Sequence, residues 1–241
     1  MQKLVILGCG FVGKYLIEEL KNDYEVFATS RNPQVNLNNF ENSITFDLNN
    51  SDTYKNLPEN SMIIWNFPAE PLEKVQDFYQ YCLAHLITIK IIYGSTSAYI
   101  KKQGNINEND LTDESIQRVK GENFLLNNGV NILQLSGIYG ESKSPFNWLN
   151  KGLIKNSNKN VNLIHVKDIV KITKNILSLD LKSQRINVTD GHNYLWKDLW
   201  KSGQDRNVVN VDCPPFLEAN HRYIENNKLL NIIGNYQFEN I

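Results

Sequence analysis

The tightest constraint in this 241-residue chain is a run of six residues near its amino end. Gly8, Cys9, Gly10, Phe11, Val12 and Gly13 spell G-x-G-x-x-G. Just before it, Lys3 to Leu7 is a short continuous apolar run, the pattern of a strand buried on both faces. Just after it, Val12, Tyr15, Leu16 and Leu20 recur at helical spacing until Asn22 and Asp23 close the segment. Strand, glycine turn and helix make a first βα unit whose bend suits a dinucleotide's diphosphate. Gly8 permits the tight turn, Gly10 carries no side chain to block the phosphates, and Gly13 lets the helix pack closely on the sheet. The free N–H groups of Phe11, Val12 and their neighbours then face phosphate oxygens. A turn serving packing alone is the other reading of these glycines, and the flanking strand and helix argue against it.

The rest of the chain repeats the alternation. Strands are expected at Tyr24 to Ala28, Ser43 to Phe46, Met62 to Trp65, Ile87 to Tyr93, Val130 to Leu135, Asn162 to Val166 and Arg185 to Val188. Helices are expected at Pro71 to Leu86, Glu114 to Leu126, Asp168 to Leu179 with Asp168 as N-cap, Tyr194 to Lys201, and Glu225 to Ile233, ended by Gly234. Val208 to Val211 reads as extended. Strand and helix in turn predict an α/β protein, a Rossmann-type doubly wound parallel sheet with right-handed crossovers. With no repeat and no Pro-, Gly- or Ser-rich linker, residues 1–241 read as a single domain. Residues 138–241 contribute a small interleaved C-terminal lobe for substrate.

Composition narrows the function classes. Hydrophobic residues make up 41% and charged residues 21%, enough to bury a full core and too patterned for disorder. Lys and Arg number 25 against 26 Asp and Glu, so no global field draws nucleic acid or an anionic membrane, and a phosphate-bearing ligand needs a local site. Cys9, Cys82 and Cys213 are far apart and have no metal spacing, which predicts no metal site and a reducing, cytoplasmic setting. No apolar run reaches the ~18 residues of a membrane span. G-x-S-x-G and H-E-x-x-H are absent, as is any acidic pair suited to glycoside chemistry.

The exit of the second strand bears on the cofactor. NAD sites place an acid there, about 20 residues after the glycines, to hold the ribose hydroxyls. Here Ala28 and Thr29 lead into Ser30 and Arg31. Arg31 offers a planar fork and Ser30 a hydroxyl, which suit a 2′-phosphate, so NADP is expected over NAD unless Arg31 is an ordinary solvated arginine. Asp47, after the third strand, is either an adenine contact or a turn carboxylate. Phe67 and Pro68, after the fourth strand, are expected to wall the cofactor.

At this point the chain resembles the extended and atypical short-chain dehydrogenase/reductases, the NAD(P)-dependent epimerase/dehydratase family. LGCGFVGKYLIEEL is similar to the family's opening loop, VFATSRN to its second-strand exit, and FDL to its adenine-side acid, Asp47. YGSTSAY is similar to its Ser-rich strand end, which puts Ser95 on the catalytic Ser/Thr position and Tyr99 on a nearby tyrosine. LSGIYG and NLIHVKDIV resemble the stretches that approach substrate, with Tyr139 and His165 as candidate contacts. The resemblance implies an oxidoreductase or a nucleotide-sugar epimerase/dehydratase acting on a small-molecule or nucleotide-linked substrate, with no nucleic-acid or membrane partner and compatible with a homodimer.

One departure matters. The family's catalytic helix carries Tyr-x-x-x-Lys, and aligning SIQRVKGENFLL with it puts Lys120 on the lysine and Ile116 where the tyrosine belongs. Isoleucine moves no proton, and general acid–base catalysis is worth ~10² to 10⁴ in rate. Lys120 is left as a ribose ligand or a surface lysine, and Ser95 as the candidate carbonyl polariser. Tyr99 and Tyr139 are phenols that either replace the missing acid or simply pack. His165 is a substrate donor or a core histidine. The alternative function is an NADP-binding regulatory protein without turnover.

Overall fold

The computed structural model describes residues 1–37, 40–141 and 143–241. The chain begins with β1 (Lys3–Leu7), α1 (Phe11–Leu20), β2 (Glu25–Ser30), α2 (Pro33–Asn36), β3 (Ser43–Thr45), β4 (Ser61–Trp65), α3 (Leu72–Ala84) and β5 (Thr88–Ser95). It continues with β6 (Gly104–Ile106), α4 (Gln117–Asn127), β7 (Asn131–Leu135), β8 (Gly137–Tyr139), α5 (Pro145–Asn150), β9 (Asn160–Val161) and β10 (Leu163–His165). Last come α6 (Val166–Leu177), β11 (Arg185–Val188), β12 (Tyr194–Leu195), α7 (Trp196–Asp205), β13 (Arg222–Ile224) and α8 (Asn227–Ile233).

Seven strands form one all-parallel sheet in the order β3-β2-β1-β4-β5-β7-β11. Successive residues of a strand face opposite sides, so the apolar run of β1 needs two cores. Leu4 and Ile6 pack with α1, α6 and α8 through Leu16, Leu20, Ile172 and Leu229, while Val5 and Leu7 pack with α3 and α4 through Val75, Phe78 and Leu125. Burying each of these side chains is worth about 1.5–3 kcal/mol, which fixes the register of the sheet.

The strand order reverses at β1, whose neighbours are β2 and β4. Chain connections diverge there and leave a crevice at the carboxyl edge, where open α/β sheets bind ligands. The glycine bend follows β1, Asn66 to Pro68 follow β4, and Ser95 ends β5, all on that edge. Three two-stranded sheets lie beside the main one: β8 with β10, β9 with β12, and β6, from the middle of the chain, with β13. A separate apolar cluster sits among them, including Tyr139, Leu149, Leu163, Trp196 and Leu199. No helix among the described residues is long and apolar enough to cross a membrane.

Several elements differ from the sequence pattern. Asp168 does not cap α6. His165 does, its Nδ1 accepting the Lys167 N–H at 3.3 Å, because the helix starts two residues before Asp168. Asp168 is instead buried in the first turn, where it accepts the Tyr236 hydroxyl at 2.9 Å and the Glu239 N–H at 3.0 Å. Helix α4 starts at Gln117 and not at Glu114, since Asp113 ties down Ser115 in a turn through Oδ1. Tyr194 and Leu195 pair with β9 before α7 begins, Arg222–Ile224 is a strand before α8, and Val208 to Val211 joins no sheet.

Candidate active site

Two cavities meet at the glycine bend. The first, about 490 Å³, runs from Gly8 and Gly10 along the end of β2 to Asp47. Gly8 has φ +87°, a left-handed conformation that favours glycine, and a Cβ there would lie 2.6 Å from the Phe67 ring. The bend is pinned to β2, with the Gly8 N–H donating to Thr29 Oγ1 and the Cys9 N–H to the Thr29 carbonyl, each at 2.8 Å. Gly10 is open: a Cβ there would meet no atom within 4 Å, and no side chain caps α1. The amides of the first turn therefore remain available, with the positive end of the helix dipole behind them. A diphosphate fits this cradle.

At the end of β2, Ser30, Arg31 and Asn36 line the same cavity, and Ser30 Oγ accepts from the Asn36 side chain at 2.8 Å. The acids lining this cavity are Asp47 and Glu70, neither of them on β2. Asp47 closes a turn, its Oδ1 accepting the Asn49 N–H at 3.0 Å. Cys9 is 6% exposed, and burial pushes its thiol up to about 11, more than offsetting the pull of Lys14, so it stays protonated at neutral pH.

The second cavity, about 410 Å³, shares Gly8, Gly10, Asn66 and Phe67 with the first and extends past Pro68 to Ser95, Ser97 and Arg118. Leu135 and Ile138 give it an apolar wall. The Ser95 and Ser97 hydroxyls are 3.1 Å apart, and Arg118 Nη2 donates to Ser97 Oγ at 2.8 Å. One hydrogen bond between two hydroxyls uses one O–H, so whichever serine donates, a second O–H is left to offer a ligand.

Arg118 reaches the cleft because of a glycine one turn later. A Cβ on Gly121 would lie 2.0 Å from the Ala69 carbonyl oxygen, so only a bare backbone lets α4 lie this close to the loop after β4. Behind Arg118, Nη1 donates at 2.8 Å to Glu122, which is 1% exposed. Gln134 Nε2 donates to the other Glu122 oxygen at 3.0 Å, and Arg185 Nη1 lies 4.0 Å from it. Burial raises the Glu122 carboxyl above its usual range, against the pull of Arg118, Gln134 and Arg185.

The remaining expected residues lie elsewhere. Tyr99 is fully buried, its hydroxyl donating at 2.6 Å to Asn187 Oδ1, and burial raises its phenol. Lys120 is exposed on α4 and lines neither cavity, and Ile116 is the residue just before that helix. Tyr139 donates to the Glu239 carbonyl at 2.9 Å, His165 packs against its ring, and neither lines the cleft. Among the described residues the one phenol that does, Tyr93, is bonded to Thr173 at 2.7 Å in the core. The site also brings in Ser97, Arg118, Glu122 and Lys143, none of them among the residues expected from sequence. Lys143 stands 4.7 Å over the Phe11 ring beside the glycine bend. Arg118 and Glu122 did carry a signal, since their i, i+4 spacing is that of the family's Tyr-x-x-x-Lys moved two residues. No cluster of three or more His, Cys, Asp or Glu among the described residues could hold a metal.

No protein-family model and no curated protein matches the chain. Solved structures do. A Methylobacillus flagellatus protein described as an NAD-dependent epimerase/dehydratase matches with TM-score 0.79 at 21% identity, over 98% of this chain and 93% of that one. UDP-glucuronic acid 4-epimerase from Bacillus cereus, in complex with NAD, matches with TM-score 0.79 at 17% identity, over 96% and 92%. This is the fold of the NAD-dependent epimerase/dehydratases. MoeE5 in complex with UDP-glucose and NAD matches with TM-score 0.77 at 17% identity, over 100% of this chain and 94% of its own.

Proposed function

We propose that the chain is an NAD(P)-dependent oxidoreductase of epimerase/dehydratase type that uses NADP. The observation that carries this reading is the open glycine cradle, with nothing in the place a Gly10 side chain would occupy. The amides at the start of α1 would hold the diphosphate, with Lys143 supplying countercharge. NADP rests on Arg31, Ser30 and Asn36 lining the cavity where an NAD site would carry an acid. NAD is the competing cofactor, since the Bacillus cereus epimerase and MoeE5 are both complexed with it. When bound, the nicotinamide supplies or accepts a hydride.

The protein's part is positioning. The spare O–H of the Ser95 and Ser97 pair donates to a carbonyl oxygen and stabilises negative charge as it develops. Leu135, Ile138 and Phe67 exclude water from that space. No phenol has a free hydroxyl in the cleft among the described residues, so the Tyr-based proton transfer of the family has no counterpart. That same fact favours the second reading, a nucleotide-binding protein without turnover. Residues 138–241, which bring Ile138 and Lys143 to the cleft, serve as the substrate side of a single domain.

Calorimetry with NADPH and NADH tests the cofactor. Wild type is expected to prefer NADPH, and Arg31→Ala to remove about tenfold of that preference. Equal affinities in the wild type would refute NADP. A carbonyl panel read by NADPH absorbance separates enzyme from binding protein: turnover lost in Ser95→Ala supports catalysis, and no turnover on any carbonyl supports the second reading.

A further inference from the structure

We propose that Arg118 anchors a carboxylate on the substrate, held in aim by the buried Glu122. The inference rests on the cofactor reading above and adds the class of molecule that shares the cleft. Of the five guanidinium N–H groups, one goes to Glu122 and one to Ser97, which leaves three to offer. The side chain is 16% exposed, mostly withdrawn from water yet open to the cavity it lines. No Asp or Glu lines this cavity among the described residues, whereas Arg118 and Lys143 both do.

Charge count decides the kind of anion. With Lys143 given to the diphosphate, Arg118 and Arg185 face the single carboxylate of Glu122, so the cluster left for the substrate carries one net positive charge. That matches the single charge of a carboxylate better than the ~1.5 to 2 negative charges of a phosphate monoester. A planar carboxylate also suits two in-plane N–H groups of a guanidinium.

The support behind Arg118 is costly and specific, which argues for a guanidinium whose position matters. Burying a charged pair saves little stability over apolar packing. Here it is backed by a third layer, because Gln134 reaches Glu122 only where Gly94 has no side chain: a Cβ on Gly94 would lie 2.4 Å from Gln134 Oε1. Gly94, Gln134 and Glu122 thus form a rigid seat. Glu122 is a positioning residue in this arrangement and touches no ligand.

The test is calorimetry on the protein saturated with NADPH, with oxamate as carboxylate probe, oxamide as its uncharged counterpart, and inorganic phosphate as the competing anion. Oxamate is expected to bind wild type and to lose at least ~10-fold in affinity in Arg118→Gln, while NADPH affinity stays unchanged. Oxamide is expected to treat the two proteins alike. Arg118→Lys keeps a cation beside Glu122, so it is expected to fold as wild type and still to lose about fivefold or more with the planar fork. Oxamate binding equally to wild type and both variants would overturn the proposal. So would phosphate binding more tightly than oxamate in an Arg118-dependent way, or NADPH affinity falling in Arg118→Gln, which would make Arg118 a cofactor ligand. Failure of wild type to bind any nicotinamide nucleotide would instead refute the cofactor reading, and it is seen before oxamate is added.

Discussion

Replacing Gly10 by alanine separates ligand binding from folding. A Cβ there meets nothing within 4 Å and φ is −88°, outside the left-handed region, but ψ is −146°, beyond the broad β region, which costs alanine about 1 kcal/mol. Alanine is a poorer N-cap than glycine by roughly 0.5 kcal/mol, while the loss of freedom in the unfolded chain returns about 0.4–1 kcal/mol. The last two offset, the backbone cost remains, and Tm should fall by only ~2–4 °C in a chain of this size. The same methyl stands where the diphosphate would rest. Pushing the phosphates off one or two amides forfeits charge-assisted hydrogen bonds worth ~1.5–3 kcal/mol each, so cofactor affinity should fall at least ~10-fold. Gly121→Ala is the counterpart. Its Cβ would lie 2.0 Å from the Ala69 carbonyl, an overlap that outweighs the ~1 kcal/mol gained by alanine in a helix. Its Tm should drop by roughly 4–8 °C. Differential scanning calorimetry and NADPH titration on the two variants read both quantities. A Gly10→Ala protein that binds NADPH like wild type, or that loses as much Tm as Gly121→Ala, refutes the assignment of the bend to the diphosphate.

Two further outcomes follow from titratable groups withdrawn wholly or partly from water. His165 is held below its ordinary pKa by burial, against the pull of Asp168 and Glu239, so the folded state binds fewer protons there than the unfolded chain. Its contribution to stability is present above the unfolded pKa near 6.5 and is lost as pH falls through the lower folded value. Denaturant melts between pH 8 and 5 should show a steeper loss for wild type than for His165→Asn, which can cap α6 without titrating, and parallel curves would sink this account. Among the thiols, Cys9 and Cys82 are buried and Cys213 is exposed. At pH 8 a thiol at about 11 is ~10⁻³ thiolate, so Ellman's reagent should titrate one cysteine in the native protein and three in denaturant. Rapid labelling of Cys9 in the native protein would contradict a closed site.

The sheet was legible because continuous apolar runs such as Leu4 to Leu7 have one good use, burial on both faces, and the glycine spacing fixed the first βα unit around them. The cleft was less so. Lys120 and Arg118 are two residues apart on α4, and at 100° per residue that is a turn of about 200°, onto the far side of the helix. Hence Lys120 meets solvent and Arg118 meets the cavity. No local pattern shows that Gly121 must slide past Ala69, since that contact spans two elements. The fate of Tyr99 was hidden for the same reason, as its partner Asn187 lies 88 residues away. Asp168 looked like a cap because Asp favours that place, but its partners arrive from the last few residues of the chain.

The seat beneath Arg118 also sets the terms for any attempt to graft ordinary dehydrogenase machinery onto this scaffold. Arg118→Tyr with Glu122→Lys would recreate a phenol and an amine one turn apart, yet the new ammonium would inherit Glu122's place beside Arg185. Two like charges would then share a dry site, with the Gln134 amide donating toward a group that accepts nothing. A viable conversion therefore takes at least a third exchange, at Arg185, and the present arrangement is guarded by its neighbours against change one mutation at a time.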